Sequence, residues 1–139
     1  MDRFWETVFN RLYRCPGWLL SENEQCMLYQ GTSKDRCGYA KVSYVNPVTK
    51  VNTGTSAQRM AKMIEQRQLD LGPFQASHIC HNKLCVRSDH INMEDRATNN
   101  ARRVCLKGGL CVRHPTGDGS FHPDCLLALF RGMLFYSYT

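Results

Sequence analysis

Eight cysteines and five histidines in a chain of 139 residues constrain its fold more than any other feature. Five of the cysteines and every histidine lie between residues 73 and 125, where the hydrophobic periodicity of the earlier chain fades. A segment with few regularly spaced aliphatics and many thiol and imidazole groups is organised by metal rather than by an apolar core. Disulfides are the other use of cysteine at this density, but they persist only in an oxidising compartment. Residues 1–6 lack the charged-then-apolar layout of an export signal. The expected setting is therefore intracellular, nuclear or cytoplasmic and not secreted, with reduced thiols.

The spacings resolve into two groups. Cys80-x4-Cys85-x4-His90 wraps three donors around one ion and needs a fourth from Cys15, Cys26, Cys37 or His81. Cys105-x5-Cys111-x2-His114-x10-Cys125 offers four donors without outside help, with His122 as the alternative to His114. Closed tetrahedral sets of this kind suit Zn²⁺ and leave no position for substrate, so their expected role is structural.

The remaining chain reads as one small α+β domain, residues 1–139. Phe4, Trp5, Val8, Phe9 and Leu12 fall at helical spacing in an N-terminal segment (1–25), which Pro16-Gly17 ends. Residues 26–72 hold β-rich runs at 26–29, 39–45 and 48–51, with a turn at Asn46-Pro47 and a break at Gly54. A helix then starts from Thr55 or Ser56, carries Met60, Met63, Ile64 and Leu71, and ends at Gly72-Pro73. Inside the metal-rich segment (73–125) one helix is expected from Asp95 to about Val104, with Asp95 as N-cap. No apolar run reaches 18 residues, which leaves no membrane-spanning helix. The apolar stretch in the tail (126–139) is broken by Arg131 and Gly132 and reads as a core or dimer segment.

Eighteen Lys and Arg against twelve Asp and Glu give a net charge of +6, which favours an anionic partner such as nucleic acid. The cations gather where the chemistry would be. Arg96, Arg102, Arg103, Lys107 and Arg113 surround the expected helix, and no acidic residue intervenes between Asp95 and Asp118. His78 precedes Cys80 by two residues, and Asn99 lies in the first turn of that helix. An imidazole that takes a proton from water, an amide that holds a divalent cation and a cationic rim make a workable phosphodiesterase site.

The string Ser77-His78-Ile79-Cys80-His81-Asn82-Lys83-Leu84-Cys85, followed by His90-Ile91, Asn99 and Cys105, resembles the His-Cys box homing endonucleases. These are His-Me finger (ββα-metal, HNH-like) nucleases. Their pattern runs Ser-His-Leu-Cys-His, a second Cys, His-Leu and an Asn nine residues after that His. His90 to Asn99 is the same step. Upstream, Cys26, Tyr29, Gly31, the Gly38-Tyr39-Ala40-Lys41 strand and Gln58-Arg59 extend the similarity, which covers roughly residues 26–125.

The resemblance implies a zinc-stabilised ββα-metal core with an antiparallel β-hairpin and a few short helices. It implies His78 as general base and Asn99 as ligand of one catalytic Mg²⁺. Cys26, Cys80, Cys85 and His90 would bind one structural Zn²⁺, and Cys105, Cys111, His114 and Cys125 a second. The implied reaction is Mg²⁺-dependent hydrolysis of double-stranded DNA to a 5′-phosphate and a 3′-hydroxyl. Lys50, Arg59, Arg87, Arg96, Arg102 and Arg103 are the candidate DNA contacts, Lys50 standing nearest to the arginine that the family carries on its hairpin. In well-known members the tail helps to build a dimer, which gives residues 126–138 that role here. The sequence departs from the pattern at Ser88-Asp89, where Asn-Pro is common, and at Ile91. The competing readings are a zinc-stabilised DNA-binding module without chemistry, in which His78 is structural, and a protein-interaction adaptor.

Overall fold

The computed structural model describes residues 1–14, 18–20 and 25–127. Cys15, the stop at Pro16-Gly17 and residues 128–139, most of the expected dimer segment, lie outside the described residues. Among the described residues, three α-helices and three two-stranded antiparallel sheets follow in the order α1 (Asp2–Tyr13), β1 (Trp18–Leu20), β2 (Met27–Tyr29), β3 (Lys41–Val45), β4 (Asn52–Ser56), α2 (Ala57–Gln66), β5 (Gln75–His78), β6 (Ile91–Glu94) and α3 (Arg96–Gly108). A 3-10 turn, Ser88–His90, runs into β6. Among the described residues no helix is long and apolar enough to cross a membrane.

The apolar core sits in the first half. Trp5, Val8 and Leu12 recur at helical spacing and bury one face of α1, with Phe4 edge-on to Tyr44. On β3 only Val42 and Tyr44 turn inward, the alternation of a half-buried strand. Met60, Ala61, Met63 and Ile64 of α2 close the cluster.

Two sequence expectations move. Residues 48–51 form a loop rather than a strand. The Asn46 side chain accepts from the backbone N–H of Val48 (2.8 Å) and Thr49 (3.1 Å), and Lys50 takes a left-handed φ of 64°. This turn chemistry satisfies the groups that a ladder would have used. Pairing with β3 begins at Asn52, so Gly54 lies within β4, opposite Ser43. Helix α2 is capped by Ser56, whose Oγ accepts from Arg59 N–H. It stops at Arg67, in the left-handed conformation, rather than at Gly72-Pro73. Leu71 reaches the core from the segment beyond it.

Candidate active site and metal centres

The second half is a ββα unit. β5 pairs with β6 in the register Gln75↔Glu94 to His78↔Ile91. Asp95 caps α3 by accepting from Thr98 N–H at 2.7 Å, as its position predicts. The helix runs past Val104 to Gly108 and ends at Gly109, whose left-handed φ of 75° suits glycine.

Two clusters of ligand atoms flank this unit. Cys26, Cys80, Cys85 and His90 are all buried, and their donor atoms lie within 4.8 Å of one another. Cys105, Cys111, His114 and Cys125 form the second group by the same measure. In the first, His90 Nδ1 stands 3.6 Å from the sulfurs of Cys26 and Cys85. In the second, His114 Nε2 stands 3.5 Å from Cys105 Sγ and 3.6 Å from Cys125 Sγ. Tetrahedral Zn²⁺ with ordinary bond lengths places sulfur and nitrogen about 3.5 Å apart, so both sets fit the ion.

Proton chemistry gives a second test of the fit. The thiols of Cys26 and Cys85 and the surrounding burial push the Cys80 thiol far up. Contact with Cys80 lowers the Cys26 thiol, but Cys85 and burial raise it further, to about 12. Only Cys85 is driven down, by hydrogen bonds from Cys26 and Cys80. Three thiolates so close together require a cation. Burial likewise lifts the Cys125 thiol to about 12, although the Arg102 guanidinium stands against it. The backbone N–H groups of Val112 and Cys125 donate to the sulfurs of Cys105 (3.2 Å) and Cys111 (3.3 Å), the support a metal thiolate uses.

Among the described residues the grouping of donor atoms bears on the alternatives that the sequence left open. Cys26 completes the first set, and Cys37 is exposed in the turn before β3. His81 lines the cleft described next. His122 accepts from the Asn92 amide at 3.0 Å, which leaves His114 in the second set.

His78 and Asn99 come together between the clusters. Two adjoining hollows, of about 320 and 450 Å³, share Tyr39, His78, Asn99 and Arg103 as lining. His78 Nε2–H donates to the Cys85 carbonyl at 2.8 Å. A carbonyl only accepts, so the neutral ring carries its proton on Nε2 and keeps its lone pair on Nδ1. Burial holds the His78 pKa below its ordinary value, against the opposing effect of that hydrogen bond. The ring lies parallel to Tyr39, centroids 5.8 Å apart. Asn99 projects from α3 toward β5, where it meets Ser77 and Gln75.

The expected DNA contacts divide. Arg96 and Arg103 are exposed and line the larger hollow. Arg59 lines it too, but its guanidinium donates to the carbonyls of Phe74 (2.6 Å) and Gly72 (3.0 Å). Lys50 is exposed at the β3–β4 turn. Arg87 borders a different groove, between α1 and α2, and pairs with Asp89 at 2.7 Å. Arg102 must be reassigned. It is 1% exposed and forms a two-point ion pair with Glu94 at 2.7 and 2.8 Å, with its remaining arm on Cys125 Sγ. Its helical position, one residue from the exposed Arg103, turns it toward Glu94 and Cys125, so that it backs the wall of the smaller hollow with its guanidinium already paired. Sequence reasoning gave no role to Glu94 or Gln75. Gln75 carried one usable signal, since residues 75 and 77 share a face of any strand through them.

The family described as the zinc-binding loop region of homing endonuclease matches residues 17–129. No curated protein and no solved structure matches the chain.

Proposed function

The chain belongs to the homing-endonuclease family defined by that zinc-binding loop region, and from this we propose that it is a divalent-metal-dependent DNA endonuclease. The observation that carries the proposal is the meeting of His78 and Asn99 in one cleft, each fixed by its neighbours. His78 Nδ1 takes the proton from an attacking water. The Cys85 carbonyl holds the opposite edge of the ring, and Tyr39 lies parallel beside it. Burial favours the neutral form of the ring, the form a base needs.

The carboxamide oxygen of Asn99 fits a hard cation, and Mg²⁺ is the proposed occupant. When bound, the ion supplies positive charge against the phosphate and the leaving oxygen. Arg96 and Arg103 sit where they can hold the DNA backbone, an electrostatic role without sequence preference. The proposed products are a 5′-phosphate and a 3′-hydroxyl. Cutting both strands of a duplex takes two such centres, which a homodimer paired through residues 126–138 would supply. The proposed setting is intracellular, nuclear or cytoplasmic, where thiols stay reduced.

The test is cleavage of supercoiled plasmid by zinc-loaded protein, with Mg²⁺ or EDTA, beside His78→Ala and Asn99→Ala of equal zinc content. Relaxed or linear product that needs Mg²⁺ and both side chains supports the reading. The expected loss for His78→Ala is about 10²–10⁴-fold. Intact plasmid, and intact members of a duplex library, with retained salt-sensitive binding would leave a DNA-binding module without chemistry.

A further inference from the structure

An asparagine offers a metal two ends of nearly equal size, and only one can bind it. The carbonyl oxygen is a ligand for a hard cation, whereas the NH₂ group has no lone pair to give. A half-turn about the last side-chain bond exchanges the two. A site that relies on Asn99 therefore needs something to choose the end.

The structure supplies two such groups on one strand. Asn99 Nδ2 donates to Gln75 Oε1 at 2.7 Å, and Asn99 Oδ1 accepts from Ser77 Oγ–H at 2.7 Å. Gln75 and Ser77 are two residues apart on β5, so the pleat places both on the face toward α3. Ser77 is buried, and Asn99 and Gln75 are half-buried. With Gln75 in its observed orientation, an exchanged Asn99 amide would set its oxygen against Gln75 Oε1, two acceptors in contact. In the observed orientation one lone pair of Oδ1 is used by Ser77 and the other remains for a cation.

We propose that Gln75 and Ser77 are positioning residues that fix which end of the Asn99 amide is offered to the catalytic metal. The proposal rests on Asn99 being the ligand of that metal, as argued above. Gln75 supplies an acceptor for the NH₂ end, Ser77 supplies a donor for the oxygen end, and neither touches the metal or the substrate. An acceptor-only carboxylate at position 75 can hold the amide only in the metal-competent orientation. An apolar side chain of glutamine's shape cannot hold it at all.

The test uses the full zinc-loaded chain labelled with ¹⁵N-asparagine, with Mn²⁺ as probe. Paramagnetic broadening of the Asn99 side-chain amide pair is followed in the wild type, Gln75→Met, Gln75→Glu and Ser77→Ala, each checked for two zinc ions and an unchanged melting temperature. Gln75→Met and Ser77→Ala are expected to need about ten-fold more Mn²⁺ for half-broadening, the usual effect of removing a partner behind a metal ligand. Gln75→Glu is expected to match or exceed the wild-type affinity. DNA affinity in EDTA is expected to stay unchanged in Gln75→Met and Ser77→Ala. Equal midpoints in all four proteins would overturn the clamp, and so would equal weakening by Gln75→Met and Gln75→Glu, which marks a role in packing alone. A wild-type Asn99 signal that ignores Mn²⁺ would overturn the metal-ligand reading itself, a different failure.

Discussion

The first Cys/His cluster draws its ligands from residues as far apart as Cys26 and His90, whereas the second takes all four from residues 105–125. The first is wholly buried, with Leu28 and Leu126 packed against it, and the backbone crosses it repeatedly. Val86 N–H donates to the Met27 carbonyl, Ile79 N–H to the His90 carbonyl and Leu126 N–H to the Ile79 carbonyl. The second is partly open at Cys111, and Leu110, Val112 and Phe121 around it are exposed. The clusters also serve different halves of the site. Cys85, a member of the first, offers its carbonyl to His78 and so holds the proposed base. Cys105, a ligand of the second, lies on the same helix as Asn99. One Cys/His set therefore organises the fold and the proposed base together, and the other adjoins the helix that carries Asn99.

The largest effect should come from Cys80→Ser. A structural zinc contributes on the order of 10 kcal/mol, comparable with the whole stability of a small domain, and this cluster closes the long loop from Cys26 to His90. The variant should lose its cooperative thermal transition by circular dichroism and become protease-sensitive across residues 26–90, the span the cluster closes. A cooperative melt near the wild-type temperature would mean that the apolar core stands without the first cluster.

The buried pair Glu94 and Arg102 ranks next, because it ties β6 to the second cluster through Cys125. Glu94→Gln leaves the guanidinium with one charged partner fewer and should cost about 3–5 kcal/mol in urea denaturation. Its pH dependence has a definite sign. Burial draws the Glu94 carboxyl upward, but hydrogen bonds from Arg102 and Asn92 outweigh it and hold the pKa below the ordinary glutamate value. A depressed carboxyl stabilises the fold above its unfolded pKa, and this contribution is lost as pH falls through the folded one. Stability should therefore decline on the acid side, below about pH 4, and Glu94→Gln should flatten that limb.

Much of this division could be read in the chain beforehand, and the reasons are physical. Ligand spacing is local chemistry, so Cys105, Cys111, His114 and Cys125 announced themselves. Cap and periodicity signals are local too, which is why Asp95, the cap at Thr55 or Ser56, and Trp5, Val8 and Leu12 of α1 were legible, although Phe9 at the same spacing is exposed. What sequence could not supply was direction and long-range choice. Cys26 was one of four possible donors until the fold closed, except through the family resemblance. Arg102 and Arg103 look alike in the chain, and only the 100° step of a helix sends one into the core and the other to the surface. The hairpin moved because the Asn46 side chain captures two backbone donors, a competition that β-propensity does not weigh.

Cys111→Ala should act more gently than either change above. Three ligands remain, and water can take the fourth position. The expected result is one zinc held less tightly and new proteolytic cleavage confined to residues 109–125, with the core melting within a few degrees of the wild type. Global unfolding would erase the contrast between the clusters.

The smallest effect tests the surface that the comparison leaves to DNA. Arg103 is exposed beside the hollow shared by His78 and Asn99, whereas its neighbour Arg102 is closed inside the protein. Arg103→Ala should leave folding and zinc content unchanged, weaken binding to all duplex sequences alike and reduce the salt slope of log K by about one. Arg102→Met should change the slope little and act on stability instead, since a buried guanidinium releases no counterions. A reduced slope in Arg102→Met, or an unchanged slope in Arg103→Ala, would reverse the assignment of the two side chains and move the DNA path to the other side of α3.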